Sequence, residues 1–171
     1  MPNRNTFKIK PIAELINRYL KADTISIDPF ARDTKIATYR NDLNPATGAE
    51  YHMHALDFLS ELIQKDIKGD LILFDPPYSP HQTKECYEGF GINMKYEDDG
   101  RHGWSKTRTA MANILKSDGY CISCGWDTIG LGKKHGFEII EILLCCHGIG
   151  HNDTIVMVER RTNQTMDAWT T

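Results

Sequence analysis

A chain of 171 residues has the size of one domain, so a single hydrophobic core over residues 1–171 is expected. Apolar residues make up 40% and charged residues 25%, which excludes a disordered chain, and no apolar run approaches the ~18 residues of a membrane span. The formal charge of −3 excludes a uniformly basic surface but leaves room for a local basic patch.

In chain order, the amino-terminal MPNRNTFKIK lacks the apolar stretch of a signal peptide, so the cytoplasm is the expected location and no membrane partner is expected. Residues 11–21 place Ile12, Leu15, Ile16, Tyr19 and Leu20 on one helical face, with Pro11 suited to the first turn. Residues 24–28 read as a first strand, 35–41 as a second and 51–54 as a short third. Leu56, Leu59, Ile63 and Ile67 have helical spacing over 56–67. The apolar run 70–75 ends in an acid, as a buried parallel strand does.

From Pro76 to Gly103 there are turn formers, charges and aromatics but little period. A loop this long inside a domain is usually functional, so 79–104 is expected to lie over the substrate side. A helix over 105–116, a strand over 119–125 and a short turn or helix over 130–136 follow. Residues 137–146 and 154–160 then read as an antiparallel pair, and 162–171 as a polar tail. The expected fold is a seven-stranded, mostly parallel α/β sheet with an antiparallel final strand.

The sharpest chemical signal is Asp75-Pro76-Pro77-Tyr78, directly after the apolar strand. Open α/β sheets bind ligands at the carboxyl ends of their strands. An aromatic amine is a poor nucleophile, because its lone pair is delocalised into the ring. A carboxylate and a backbone carbonyl that accept both its N–H bonds favour the pyramidal nitrogen of the transition state. Two prolines stiffen the loop and leave the Pro76 carbonyl free of ladder bonds. Tyr78 can stack on a base, a contact worth about 1–3 kcal/mol. The bland alternative is a plain proline turn that ends a strand.

With this motif the chain resembles the amino-methyltransferases of DNA, and in particular the short stand-alone adenine methyltransferases of phages and prophages. The likeness runs through Phe7-Lys8-Ile9-Lys10-Pro11, Asp28-Pro29-Phe30-Ala31 and Asn41-Asp42-Leu43-Asn44-Pro45. It continues through Gly125-Trp126, Gly136-Phe137 and His151-Asn152-Asp153-Thr154. It implies a Rossmann-like methyltransferase fold, S-adenosylmethionine as cofactor, and N6 of adenine in DNA as the methyl acceptor. Asp75, Pro76, Pro77 and Tyr78 are then the catalytic set. Lys10, Pro11, Asp28, Pro29, Phe30, Asp42, His54 and Ala55 are the expected cofactor residues, with Asp42 taking the ribose hydroxyls. N4 of cytosine, a base in RNA, and a degenerate fold that only binds a partner remain as alternatives.

Two departures stand out. Where the family's first loop continues as a glycine-rich turn, this chain reads Ala31-Arg32-Asp33. Where an acid commonly follows the third strand, it has His54, with Asp57 three residues on. Ser79, Arg101, Lys106 and Arg108 are the expected nucleic-acid contacts, with Lys133 and Lys134 added to a phosphate-facing rim. No segment is large enough for a separate recognition domain, so a context of a few bases or a second subunit, such as a homodimer, is expected. Five cysteines, Cys86, Cys121, Cys124, Cys145 and Cys146, favour free thiols. Cys121 and Cys124 have zinc-like spacing, but on a strand they point to opposite faces, so no metal is expected.

Overall fold

The computed structural model describes residues 6–92 and 103–162. Arg101 and the polar tail from residue 163 onward lie outside them. Ile12, Leu15 and Ile16, spaced at helical intervals, form the buried stripe of α1, Lys10–Tyr19, with Pro11 in its first turn. Strand β1, Ser26–Asp28, is buried throughout, and β2, Tyr39–Arg40, pairs with it in parallel. Helix α2, Ala55–Gln64, buries Phe58, Leu59 and Leu62, and β3, Gly69–Phe74, is buried at five of its six positions. After α3, Pro80–Gly89, and α4, Ser105–Ile114, come β4, Leu115–Gly125, β5, Phe137–Cys145, and β6, Thr154–Arg161.

The sheet has six strands in the order β2-β1-β3-β4-β6-β5, with β6 antiparallel to both of its neighbours. Alternation along β3 sends Ile72 and Phe74 to the layer containing α2 and α4, and Leu71 and Leu73 to the layer containing α1. Two apolar clusters thus sandwich the sheet; each fully buried Leu, Ile or Phe contributes about 1.5–3 kcal/mol. Arg18 and Tyr19 of α1 both hydrogen-bond Glu141, which ties that helix to β5.

Three expectations change. The seventh strand reduces to a single bridge between Asn41 and Tyr51. The second strand shortens because Ser26 and Thr38 bond each other's backbone N–H through their hydroxyls, at 3.2 and 3.0 Å, in place of ladder bonds. The long loop contains α3. Its start was legible as Ser79-Pro80: the Ser79 hydroxyl accepts the Gln82 N–H at 3.2 Å, and Gln82 Oε1 accepts the Tyr78 N–H at 2.8 Å.

Candidate active site

The carboxyl ends of β1, β3 and β4 lie side by side, and each ends in a residue of the candidate site. At the end of β3, the Tyr78 hydroxyl donates to Asp75 Oδ1 at 2.6 Å. The Thr6 hydroxyl hydrogen-bonds the same carboxylate. Burial pushes the Asp75 carboxyl above its ordinary range, against the pull of these two hydroxyls and the Arg32 charge. Burial and the neighbouring Asp75 carboxylate likewise push the Tyr78 phenol upward, so it stays a hydrogen-bond donor. The motif is therefore a coupled acid–phenol pair.

Trp104 holds this loop from the other side. Its Nε1–H donates to the Pro77 carbonyl at 3.3 Å, and its ring meets Phe30 edge-on, centroids 4.9 Å apart. Trp104 is 5% exposed and has φ 62°, a left-handed conformation that a bulky residue adopts only when its surroundings impose it. Among the described residues, no backbone donor bonds the Pro76 carbonyl, which keeps it available as an acceptor. An open groove of about 130 Å³ runs beside the motif, lined by Pro76, Pro77, Tyr78, Trp104, Arg108 and Trp126 among others. Tyr78 and Trp126, which both line it, touch edge to face, centroids 5.6 Å apart. Aromatic walls and a guanidinium suit a flat, polar-edged ring.

At the end of β1, Asp28 is fully buried. Its carboxylate accepts the Phe30 N–H at 3.0 Å and the Thr34 hydroxyl at 3.4 Å. Burial, reinforced by Asp75 and Asp42, pushes its pKa up to about 8. An acid raised in the folded state binds its proton more tightly there than in the unfolded chain. Stability is then full below the unfolded pKa and falls as pH rises toward 8. Asp28→Asn is thus expected to raise Tm at pH 8–9 relative to wild type, with the gap closing toward pH 4. Thermal melts across that range check it; a gap independent of pH contradicts the buried-proton assignment.

Asn41 is the clamp of this region. Its Nδ2 donates to the carbonyls of Pro29 and Met53 at 3.0 and 2.9 Å, and its Oδ1 accepts the Met53 N–H at 3.1 Å. Asp42 accepts the N–H of Arg32 at 3.0 Å and of Asn44 at 2.9 Å, and burial raises its pKa. Arg32 adopts φ 51°, so the turn that usually uses glycine forms here with an arginine held by Asp42. His54 caps α2 by accepting the Leu56 N–H at 3.4 Å, and Ala55 is the buried first residue of that helix. His54 Nε2 is buried without a partner among the described residues. An orphaned ring nitrogen, an acid with lone pairs to spare and a pinned turn fit a nucleoside-bearing cofactor at the ends of β1 and β2.

The other expected residues divide. Lys10 is exposed and pairs with Glu14 at 4.0 Å; Pro11 is exposed in the first turn of α1. The contact of that segment with the site comes instead through Thr6, which sequence reading missed, while Phe7 of the quoted stretch is buried in the apolar cluster against which Tyr78 packs. Helix α3 packs beside His54, Arg32 and Asp42: the Tyr87 ring lies 6.1 Å from that of His54, and the charges of Arg32 and Asp42 act on the Cys86 thiol, whose pKa burial raises. Ser79 lines the groove but its hydroxyl serves as the α3 cap. Lys106 is exposed in the first turn of α4. Arg108 lines the groove and donates to the Gly130 carbonyl at 3.3 Å, while its buried Nε has no partner among the described residues. Lys133 and Lys134 precede β5, at the opposite end of the sheet, and are not part of the rim. Cys121 packs in the α2–α4 layer and Cys124 in the α1 layer, so they lie on opposite faces. No described helix is long and apolar enough to cross a membrane.

No protein-family model matches the chain, and no curated protein matches it. Solved structures do. TrmN from Thermus thermophilus superposes with TM-score 0.54 and 16% identity, over 88% of this chain and 48% of that one. HI0767 from Haemophilus influenzae, provisionally described as a methylase, gives 0.53 and 12%, over 90% and 98%. SMU.1697c from Streptococcus mutans, provisionally described as a methyltransferase and solved in complex with SAH, gives 0.50 and 11%, over 86% and 93%. The chain spans less than half the length of several structures it matches, TrmN among them. By its sheet order and these likenesses, the chain has the Rossmann-like α/β fold of the methyltransferases.

Proposed function

We propose that the protein transfers a methyl group from S-adenosylmethionine to the exocyclic amino nitrogen of a nucleic-acid base, with N6 of adenine in DNA as the acceptor. One observation carries this reading: the hydrogen-bonded Asp75–Tyr78 pair at the end of β3, whose Tyr78 ring lines a groove walled by aromatic side chains. The cofactor supplies an electrophilic methyl group. Asp42, His54 and the turn from Asp28 to Arg32 are the residues that hold it.

A flipped base enters the groove lined by Tyr78 and Trp126, where stacking on an aromatic face contributes about 1–3 kcal/mol. Asp75 and the Pro76 carbonyl accept the two amine hydrogens and draw the nitrogen toward a tetrahedral geometry. The nitrogen forms its bond to the methyl carbon as the carbon–sulfur bond breaks. The proton that it sheds passes to Asp75, whose raised pKa suits it to accept and then release that proton. The Tyr78 hydroxyl steadies the carboxylate throughout. Trp104 fixes the loop by holding the Pro77 carbonyl and leaves the Pro76 carbonyl for substrate.

Calorimetric titration with S-adenosylmethionine tests the first half of the reading. Asp42→Ala is expected to weaken binding about tenfold or more, the scale of one lost charge-assisted hydrogen bond. An unchanged Kd in this variant rules out the ribose role for Asp42. Failure of the wild-type protein to bind the cofactor contradicts the whole proposal.

A further inference from the structure

We propose that Ile149, at the tip of the β5–β6 hairpin, is an apolar wedge that enters base-paired DNA and opens the stack beside the target base. The inference rests on the proposed function and assigns its substrate class: duplex, not only single-stranded, DNA.

The hairpin stands at the right edge of the site. Because β6 is antiparallel to both β4 and β5, the β5–β6 turn projects from the same end of the sheet as the carboxyl ends of β1, β3 and β4. Gly125, next to the groove residue Trp126, is paired with Ile155, one residue beyond the last hairpin pair, Cys145 with Thr154. Ile149 lies four positions beyond Cys145, so the tip reaches at most about 14 Å beyond the sheet.

The hairpin is braced at its base and bare at its tip. The His147 N–H donates to Asp153 Oδ1 at 3.0 Å, and His147 Nε2 hydrogen-bonds the buried Thr154 hydroxyl at 2.8 Å. Gly148 and Gly150 flank the tip at φ 81° and 86°, and neither has an atom within 4 Å of where a Cβ would stand. These left-handed positions favour glycine and hold Ile149 out from the chain, fully exposed. An isoleucine left in water forgoes the favourable burial of its side chain, and a solvent-facing turn is normally filled by Asn, Asp or Ser. Residues 146–152 include no acid, and the first one after them, Asp153, is engaged by His147, so the tip can approach a polyanion. Isoleucine is among the side chains that proteins insert between base steps, where partial unstacking weakens the hold on the neighbouring base.

Two readouts on Ile149→Ser test the wedge. The first is the linking number of closed circular plasmid relaxed by a topoisomerase in the presence of the protein, which registers unstacking without any methyl transfer. Wild type is expected to shift the topoisomer distribution and the variant to leave it near the protein-free position. The second is methyl incorporation into one unmethylated DNA, native or heat-denatured. The variant is expected to lose roughly tenfold on native DNA and less than about twofold on denatured DNA. Since Ile149 is fully exposed, its melting temperature should match wild type. Equal topoisomer shifts in the two proteins, or equal losses on both DNA forms, overturn the wedge. A topoisomer shift that depends on Ile149 in a protein that methylates neither DNA form supports the wedge and overturns the proposed reaction instead.

Discussion

Asp75→Asn should lower the rate of methyl transfer by about 10²–10³ while leaving cofactor binding within about twofold of wild type. The amide keeps one oxygen to accept the Tyr78 hydroxyl, so the loop retains its 2.6 Å contact and its fold. It loses the charge that favours the developing ammonium and the site that takes its proton. The loss therefore falls on turnover, the signature of an interaction made in the transition state. Tyr78→Ala removes both the stacking face and the donor to Asp75, and is expected to reduce turnover further and raise KM. Single-turnover rates with separately measured cofactor affinity check this. A wild-type rate in Asp75→Asn contradicts the assigned role of the carboxylate.

The second large effect is on stability. Glu159 is buried and chelates the loop after β4: its carboxylate accepts the Leu131 N–H at 2.7 Å and the Gly132 N–H at 2.8 Å. Gly130 lies so close that an added Cβ would stand 2.1 Å from Glu159 Oε2 and 2.3 Å from Met157 Cε. The Gly130 carbonyl also receives Arg108 from α4. Gly130→Ala must therefore expel the Glu159 carboxylate, which leaves buried donors unpaired and overpacks the sheet. The expected cost is about 2–4 kcal/mol, or roughly 4–16 °C in Tm. Thermal denaturation measures it directly. Glu159→Gln keeps the shape and half of the acceptors, so it should cost less than Gly130→Ala; the reverse order contradicts the account of the loop.

Neither Glu159 nor Gly130 was visible in the sequence, and the reason is physical. An acid within a strand reads as a surface residue, because burial is affordable only where backbone donors converge from another segment, here 28 residues away. The positioning roles of Thr6, Asn41 and Trp104 escaped for the same reason: they lie in hydrogen bonds to distant segments that no local period announces. The sheet was legible because Leu71, Ile72, Leu73 and Phe74 make an apolar run that both faces must cover. The Asp75-Pro76-Pro77-Tyr78 stretch was legible as a candidate site because an acid, two prolines and an aromatic directly follow an apolar strand. Helix α3 was missed because the Pro80–Gly89 segment has a weak apolar stripe, with only Thr83 and Tyr87 buried. Its capping serine and first-turn proline were the available signal. The short second strand was overread because hydroxyl bonds between Ser26 and Thr38 stand in for the ladder.

The most direct test of the central claim is methyl transfer from radiolabelled S-adenosylmethionine to unmethylated DNA, followed by nucleoside analysis of the product. The account predicts label in N6-methyladenine that disappears with Asp75→Asn. Label in another nucleoside, or no transfer to DNA by a protein that binds the cofactor, would contradict it.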